Sequence, residues 1–316
     1  MINRTMVRTR VVQTLYAYYQ DPTKTQLEAK RELINSYSSI YSLYMLLLDF
    51  VNELTLYAEG QLEEASNRAK VTHQNWVANR RFVDNKLSAQ VFENRALRNY
   101  MQENALNWDS GMNAVEAVYK ELKSATFYKE YMQKEATTYD DDRRIWRKIY
   151  TQLLPGNEAL EDALEEMEVA LDANHWTTET DVVLSYALKT LKHFKEDSNA
   201  DMPLLPMFDS EKEYQFGTEL LNYAMQHHAE YSEQIAAHLR NWEVERVAFM
   251  DRVIIEAALA EILNFPEIAL EVSLNEYLEI AKEYSSEKSH LFINGILDEI
   301  LKNMKEDNKL IKNIKE

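Results

Sequence analysis

The stretch NWEVERVAFMDRVIIEAALAEIL, Asn241 to Leu263, decides the fold. Met250, Val253, Ile254, Ala257 and Leu263 recur at helical spacing over 244–263, and Phe265-Pro266 ends the run. Downstream, Ser273 precedes Leu274 and stands three residues before Glu276. That is the pattern of a capping box, in which the serine accepts from a free N–H and the glutamate reaches back, so a helix is expected from there to about Tyr284. A last helix begins between Ser286 and Ser289 and carries Phe292, Ile296, Ile300 and Met304. Gly295 lies inside it at a cost of about 1 kcal/mol relative to Ala. A close helix crossing, where no side chain fits, is the expected reason. Upstream, Phe216, Leu220, Met225, Tyr231, Ile235 and Leu239 trace the buried side of a helix or helix pair over 211–239, and Trp242 reads as core rather than as a platform for a base. Five amphipathic helices with short joints make a compact bundle.

Further outward the chain stays helical. Residues 4–20 put Val7, Val11 and Leu15 on one side of a helix that Asp21-Pro22 closes. Residues 25–70 carry a stripe of Ile34, Tyr37, Ile40, Leu43, Leu47 and Phe50, and 84–150 hold several more helices. Asp140, Asp141 and Asp142 read as a solvated turn. Pro155-Gly156 is the first strong break; an acidic helix follows it, then a loop at His175 to Thr178 and a helix near 179–196. Pro203, Pro206 and the polar run EDSNAD make 196–210 the best linker in the chain. The expected class is all-α, and only five Gly and five Pro in 316 residues agree with it.

Composition bounds the chemistry. With no Cys, disulfides and thiolate metal sites are excluded. The longest apolar run, Leu43 to Val51, is broken by Asp49 and falls short of a membrane span. The basic N-terminus lacks a following apolar stretch, so no secretory signal is read and a cytoplasmic protein is expected. His227-His228 is not followed by the spacing of a zinc helix, the acidic helices lack Glu-x-x-His pairs, and no phosphate-cradling glycine loop occurs. No catalytic residue, metal or cofactor is expected. The net charge of −18 opposes nucleic acid, yet its distribution is uneven. Residues 157–201 hold twelve acids against three lysines, whereas residues 1–20 hold Arg4, Arg8 and Arg10 with no acid, and 301–316 hold five lysines against three acids. An RNA site would have to use the two ends.

Three blocks in the last third resemble the NusB family of transcription antitermination factors. Asn241 to Leu263 resembles its third and fourth helices. VSLNEYLEIAK, Val272 to Lys282, is similar to its INEAVELAK-like helix, and SHLFINGILD, Ser289 to Asp298, to its KFVNGVLD signature. The order and spacing are the family's, over about 209–305. RTRVVQTLYAYYQ, Arg8 to Gln20, also resembles the family's arginine-rich first helix with its VQALY-like body. The resemblance implies a NusB-like helical bundle with a large additional helical region. Residues 1–20 would be its first helix, 21–200 an extra helical domain or insertion, and 201–316 the NusB-like domain. Two arrangements stay open: the first helix packs on the C-terminal bundle, or the helix near 179–196 takes its place.

The family resemblance also implies a role without bond chemistry. Members pair with a small ribosomal protein, NusE, bind the single-stranded boxA element of nascent ribosomal RNA, and act on the transcription elongation complex. Arg4, Arg8 and Arg10 would contact RNA; the alternative is a solvated helix start, which the helix dipole disfavours for cations. Phe292 would stack on a base, or else pack in the core beside Ile293 and Ile296. Lys288, Ser289 and His290 would offer charge and backbone N–H groups to phosphate, although a histidine there is more commonly a surface or cap residue. Tyr16, Asp251 and Arg252 would meet the protein partner; core packing for Tyr16, and pairing of Asp251 with Arg252, Arg246 or Lys282, are the plain alternatives. An RNA-modifying enzyme bearing such a domain would need a glycine-rich nucleotide fold and a catalytic Cys, which are missing. A protein-interaction scaffold of the same fold without RNA binding remains the second reading.

Overall fold

A computed structural model describes residues 1–73, 77–173, 176–239, 247–286 and 288–306. Trp242, the start of the expected helix at 244–246, His175 and the basic tail beyond 306 lie outside the described residues. Among the described residues the regular structure is helical, apart from one isolated bridge between Ile2 and Phe208. The chain divides into two compact units, one continuous and one not: residues 35–207, and residues 1–34 joined by 208–316. The expected boundaries at 20 and 200 therefore fall at 34 and 207. The first of these lies inside a helix, where no composition shift marks it.

The discontinuous unit contains α1 (Arg4–Gln20), the start of α2 (Gln26–Val71), α10 (Glu211–Gln226), α11 (His228–His238), α12 (Phe249–Asn264), α13 (Leu270–Tyr284) and α14 (Ser289–Glu306). Asn3 caps α1 by accepting from the Met6 amide at 2.9 Å. α12 is buried on all sides from Val253 to Ile262, and that stretch is apolar apart from Glu256 and Glu261. α1 packs against it and against α10, so the first of the two open arrangements holds within this unit: the N-terminal helix is part of the bundle.

The continuous unit contains the rest of α2, then α3 (Lys86–Glu93), α4 (Arg95–Glu103), α5 (Met112–Ser124), α6 (Thr126–Gln133), α7 (Tyr139–Gln152), α8 (Glu158–Leu171) and α9 (Thr180–His193). The apolar run at Leu43–Val51 is enclosed here. Trp108 donates to the Leu46 carbonyl at 3.2 Å, and Tyr150 donates to that of Leu47. Asp140–Asp142 is not a solvated turn. It is the first turn of α7, where Thr138 and Asp141 form a capping box and buried Asp142 accepts from Tyr131 at 2.7 Å. Acids suit that end of a helix. The expected linker is likewise fastened down. Arg95 N–H donates to the Ala200 carbonyl at 2.8 Å, Asn94 Nδ2 to that of Met202 at 2.8 Å, and Tyr41 to that of Leu205 at 3.0 Å. Its carbonyls are satisfied by one backbone amide and two side chains of neighbouring helices rather than by a ladder.

Candidate nucleic-acid interface

α1 and α12 run antiparallel, and that decides which expected site residues meet. Arg8 bonds Glu261 near the end of α12, whereas the Tyr16 ring lies 5.2 Å from that of Phe249 at its start. α14 begins beside the same start: Ser289 Oγ donates to Asp251 Oδ2 at 3.0 Å, and Ser285 Oγ also donates to Asp251. Asp251 and Glu261 are ten residues apart, about 15 Å at 1.5 Å per residue. The arginine-bearing turns of α1 and the opening of α14 thus lie toward opposite ends of α12. The two sets of residues expected to contact RNA are therefore not brought into one site. Tyr16, Asp251, Arg252 and Ser289 come together instead.

Arg8 is a correction to the sequence reading. It is 2% exposed; its Nε and Nη2 donate to the two oxygens of Glu261 at 2.7 and 2.9 Å, and Nη1 is 3.4 Å from Glu276. Ser273 and Tyr277 donate to the same carboxylate at 2.7 and 3.0 Å. Burial alone would lower the Arg8 pKa, but the bonds from Glu261 outweigh it and the net shift is upward. A charge enclosed in this way cannot reach a phosphate. Arg10 is also 2% exposed, with Nη1 donating to Gln13 at 3.1 Å. Only Arg4 keeps part of its surface, with its guanidinium 5.0 Å from the centre of the Phe216 ring.

Ser273 is likewise not a cap. α13 begins at Leu270, and buried Ser273 sits in its first turn facing Glu261. The opening of α14 is also partly used by the fold. Ser289 is 3% exposed, its amide donates to the Ser286 carbonyl at 2.9 Å, and the amides of Leu291 and Phe292 both donate to the Lys288 carbonyl at 3.2 Å. Lys288 is exposed; Phe292 and His290 are half-buried, and His290 Nδ1 is enclosed without a hydrogen-bond partner among the described residues. Asp251 is 5% exposed and holds serines rather than a cation. Arg252 is exposed, with its guanidinium 5.3 Å from the Phe249 ring centre. Tyr16 is half-buried.

A cleft of about 80 Å³ adjoins Arg252 and Phe249, and the sequence reading missed its polar wall. Glu256 is 3% exposed; it accepts from Tyr19 and lies 2.9 Å from His228 Nδ1, and the rings of Tyr19 and His228 stack at 4.2 Å. Burial raises the Glu256 pKa against the opposing bonds from His228 and Tyr19. The bond to Glu256 raises that of His228 against partial burial. The signal was legible: Glu256 and Glu261 stand in an otherwise apolar helix, and a carboxylate there demands partners.

A profile of the NusB family matches residues 181–302. A protein named transcription antitermination protein NusB from Geobacter sp. (strain M21) is 36% identical over 137 residues, covering 43% of this chain and 91% of the relative. The chain belongs to the NusB family. A relative of the same name from Salinibacter ruber is 33% identical over 131 residues, covering 40% of this chain and 82% of its own. One from Chloroherpeton thalassium is 41% identical over 80 residues, covering 25% and 38%. No solved structure matches. The matched stretch begins within α9, which belongs to the continuous unit, and α1, which belongs to the bundle, lies outside the matched residues.

Proposed function

We propose that the protein is a cytoplasmic transcription antitermination factor. It binds boxA-type single-stranded RNA together with the ribosomal protein NusE, acts on the elongation complex, and makes or breaks no bond. The observation that carries this is the 36% identity to a transcription antitermination protein across 91% of that relative's length. The geometry supports a revised set of contacts. Exposed Lys288 and half-buried Phe292 supply charge and a ring for RNA at the opening of α14; Tyr16 on α1 and Arg252 at the start of α12 make up the protein-facing side. Arg4 adds charge at the far end of α1. Arg8 and Arg10 hold the helix in place, and Asp251 and Ser289 fix the turn that presents Lys288.

The test is anisotropy of a labelled boxA-type RNA and a scrambled control, with and without NusE. The wild type should prefer boxA, and NusE should tighten it. Lys288→Glu should weaken RNA with or without partner, whereas Arg252→Glu should reduce the NusE effect more than RNA binding alone. Equal affinity for both RNAs in the presence of NusE would overturn the reading. One observation favours a protein-only scaffold, namely the enclosure of two of the three N-terminal arginines. That reading predicts NusE binding with no RNA affinity.

A further inference from the structure

The continuous unit carries a groove of about 320 Å³ between α7 and α9 whose rim is cationic in a protein of net charge −18. Arg143, Arg144 and Arg147 come from one helix together with a single acid, Asp140, and Lys192 from the other, with Leu188 and Leu191 as an apolar floor. Two of these charges have structural work. Arg143 Nη2 donates to the Lys192 carbonyl at 2.8 Å, where a cation suits the end of α9, and Arg144 pairs with Asp140 at 3.0 Å. Arg143 Nε is enclosed with no hydrogen-bond partner among the described residues. Arg147 and Lys192 are exposed and form no ion pair among the described residues. Like charges gathered on a rim repel one another, so their arrangement gains energy when an anion enters.

We propose that this groove is a second RNA-binding surface, one that takes the phosphodiester backbone of a single strand without reading its sequence; this rests on the proposed RNA-binding function. Arg143 and Arg147 stand one helical turn apart, with Cβ atoms about 5–6 Å from each other, which makes a row of donors rather than a single pocket. Guanidinium groups match phosphate oxygens in a bidentate fork. No aromatic side chain lines the groove, so nothing there stacks on a base. Contacts of this kind add affinity and position the strand but carry no sequence information.

The experiment uses the full chain, NusE, and the two labelled RNAs at several salt concentrations. The double variant Arg147→Glu/Lys192→Glu changes only exposed side chains, and its thermal melt is measured alongside. It should weaken boxA-type and scrambled RNA alike, by about three- to tenfold. It should also flatten the slope of log affinity against log salt by about 1.4, or about 0.7 for each lost phosphate contact on a single strand. Lys288→Glu, in contrast, should reduce the preference for boxA. Unchanged affinity for both RNAs in a normally melting double variant overturns the proposal. So does displacement of the groove-dependent binding by millimolar inorganic phosphate at fixed ionic strength, which would mark a single-phosphate pocket, or by a poly-glutamate peptide under the same conditions. If the wild type fails to prefer boxA, the antitermination reading fails separately, while the effect of the double variant on scrambled RNA still decides the groove.

Discussion

Arg8 shows how a residue's charge can be drawn inward by a partner far along the chain. Its guanidinium, Glu261, Ser273 and Tyr277 form one enclosed network, so removing the cation leaves a carboxylate with two hydroxyl donors and no countercharge. Breaking such a pair from one side costs about 3–5 kcal/mol. Arg8→Ala should therefore lower the unfolding free energy in urea by that order, and any loss of RNA binding should follow the fraction unfolded. A variant within 1 kcal/mol of wild type, on the order expected for a surface arginine, would show that the charge is not needed inside. His228 and Glu256 give a second residue-scale expectation. Both pKa values are raised, Glu256 by burial and His228 by its bond to Glu256. A group whose pKa rises on folding contributes stability below its unfolded value and loses it as pH climbs through the folded one. For His228 that contribution is complete below pH 6.5 and declines above it. Because its side chain is 48% exposed, the effect should stay under about 1 kcal/mol. Urea unfolding from about pH 5.5 to about 8.5, roughly one unit below to two above the ordinary histidine value, should show falling stability in wild type and a flatter profile in His228→Gln. An identical slope in both would remove the histidine as its source.

At the scale of elements, most helices were legible because periodicity and breakers are local properties. Asp21-Pro22, Pro155-Gly156 and Phe265-Pro266 each close a helix near where the sequence says, and Gly156 adopts φ +65° in the break itself. What misled was any motif whose meaning depends on a distant partner. Ser273 and Glu276 satisfy the spacing of a capping box, yet the serine faces Glu261 and α13 starts three residues earlier. The segment on either side of Pro203 looks like a linker but is held by Asn94, Arg95 and Tyr41. The helices that carry the candidate residues at the opening of α14 and the start of α12 were found in the sequence. The enclosure of Arg8 and Arg10 was not, because the antiparallel pairing of α1 with α12 is a tertiary fact. Gly295 belongs to the same lesson. A side chain added there would meet nothing within 4 Å, so no helix crossing explains it. Gly295→Ala should then raise stability by about 0.5–1 kcal/mol through helix propensity and a less flexible unfolded chain. Thermal or urea melts check it, and a destabilised variant would mean that the open space is occupied in solution.

At the scale of the whole molecule, the discontinuous unit is assembled from segments that lie far apart in sequence, and its order of formation follows. Residues 35–207 form one continuous stretch with its own enclosed core, including Trp108, Trp146 and Trp176. α12, α13 and α14 follow one another closely and share local contacts through Asp251, Ser285 and Ser289. α1 is different: its polar anchor, Glu261, is 253 residues away, and the hydrogen bond of Tyr19 to Glu256 spans 237. Contacts this remote must offset loop closure before they stabilise anything, and units tend to form before remote segments dock. A helix such as α1 draws most of its stability from tertiary packing rather than from propensity. Pulse-labelling hydrogen exchange during refolding should therefore find the amides of Val7 to Leu15 protected later than those of Leu43 to Val51, and later than those of Ile254 to Ile262. Arg8→Ala should delay α1 further while leaving the protection rate of α2 and α7 unchanged. Protection of α1 together with or ahead of α12 would instead mean that its pairing with Glu261 guides folding rather than completing it.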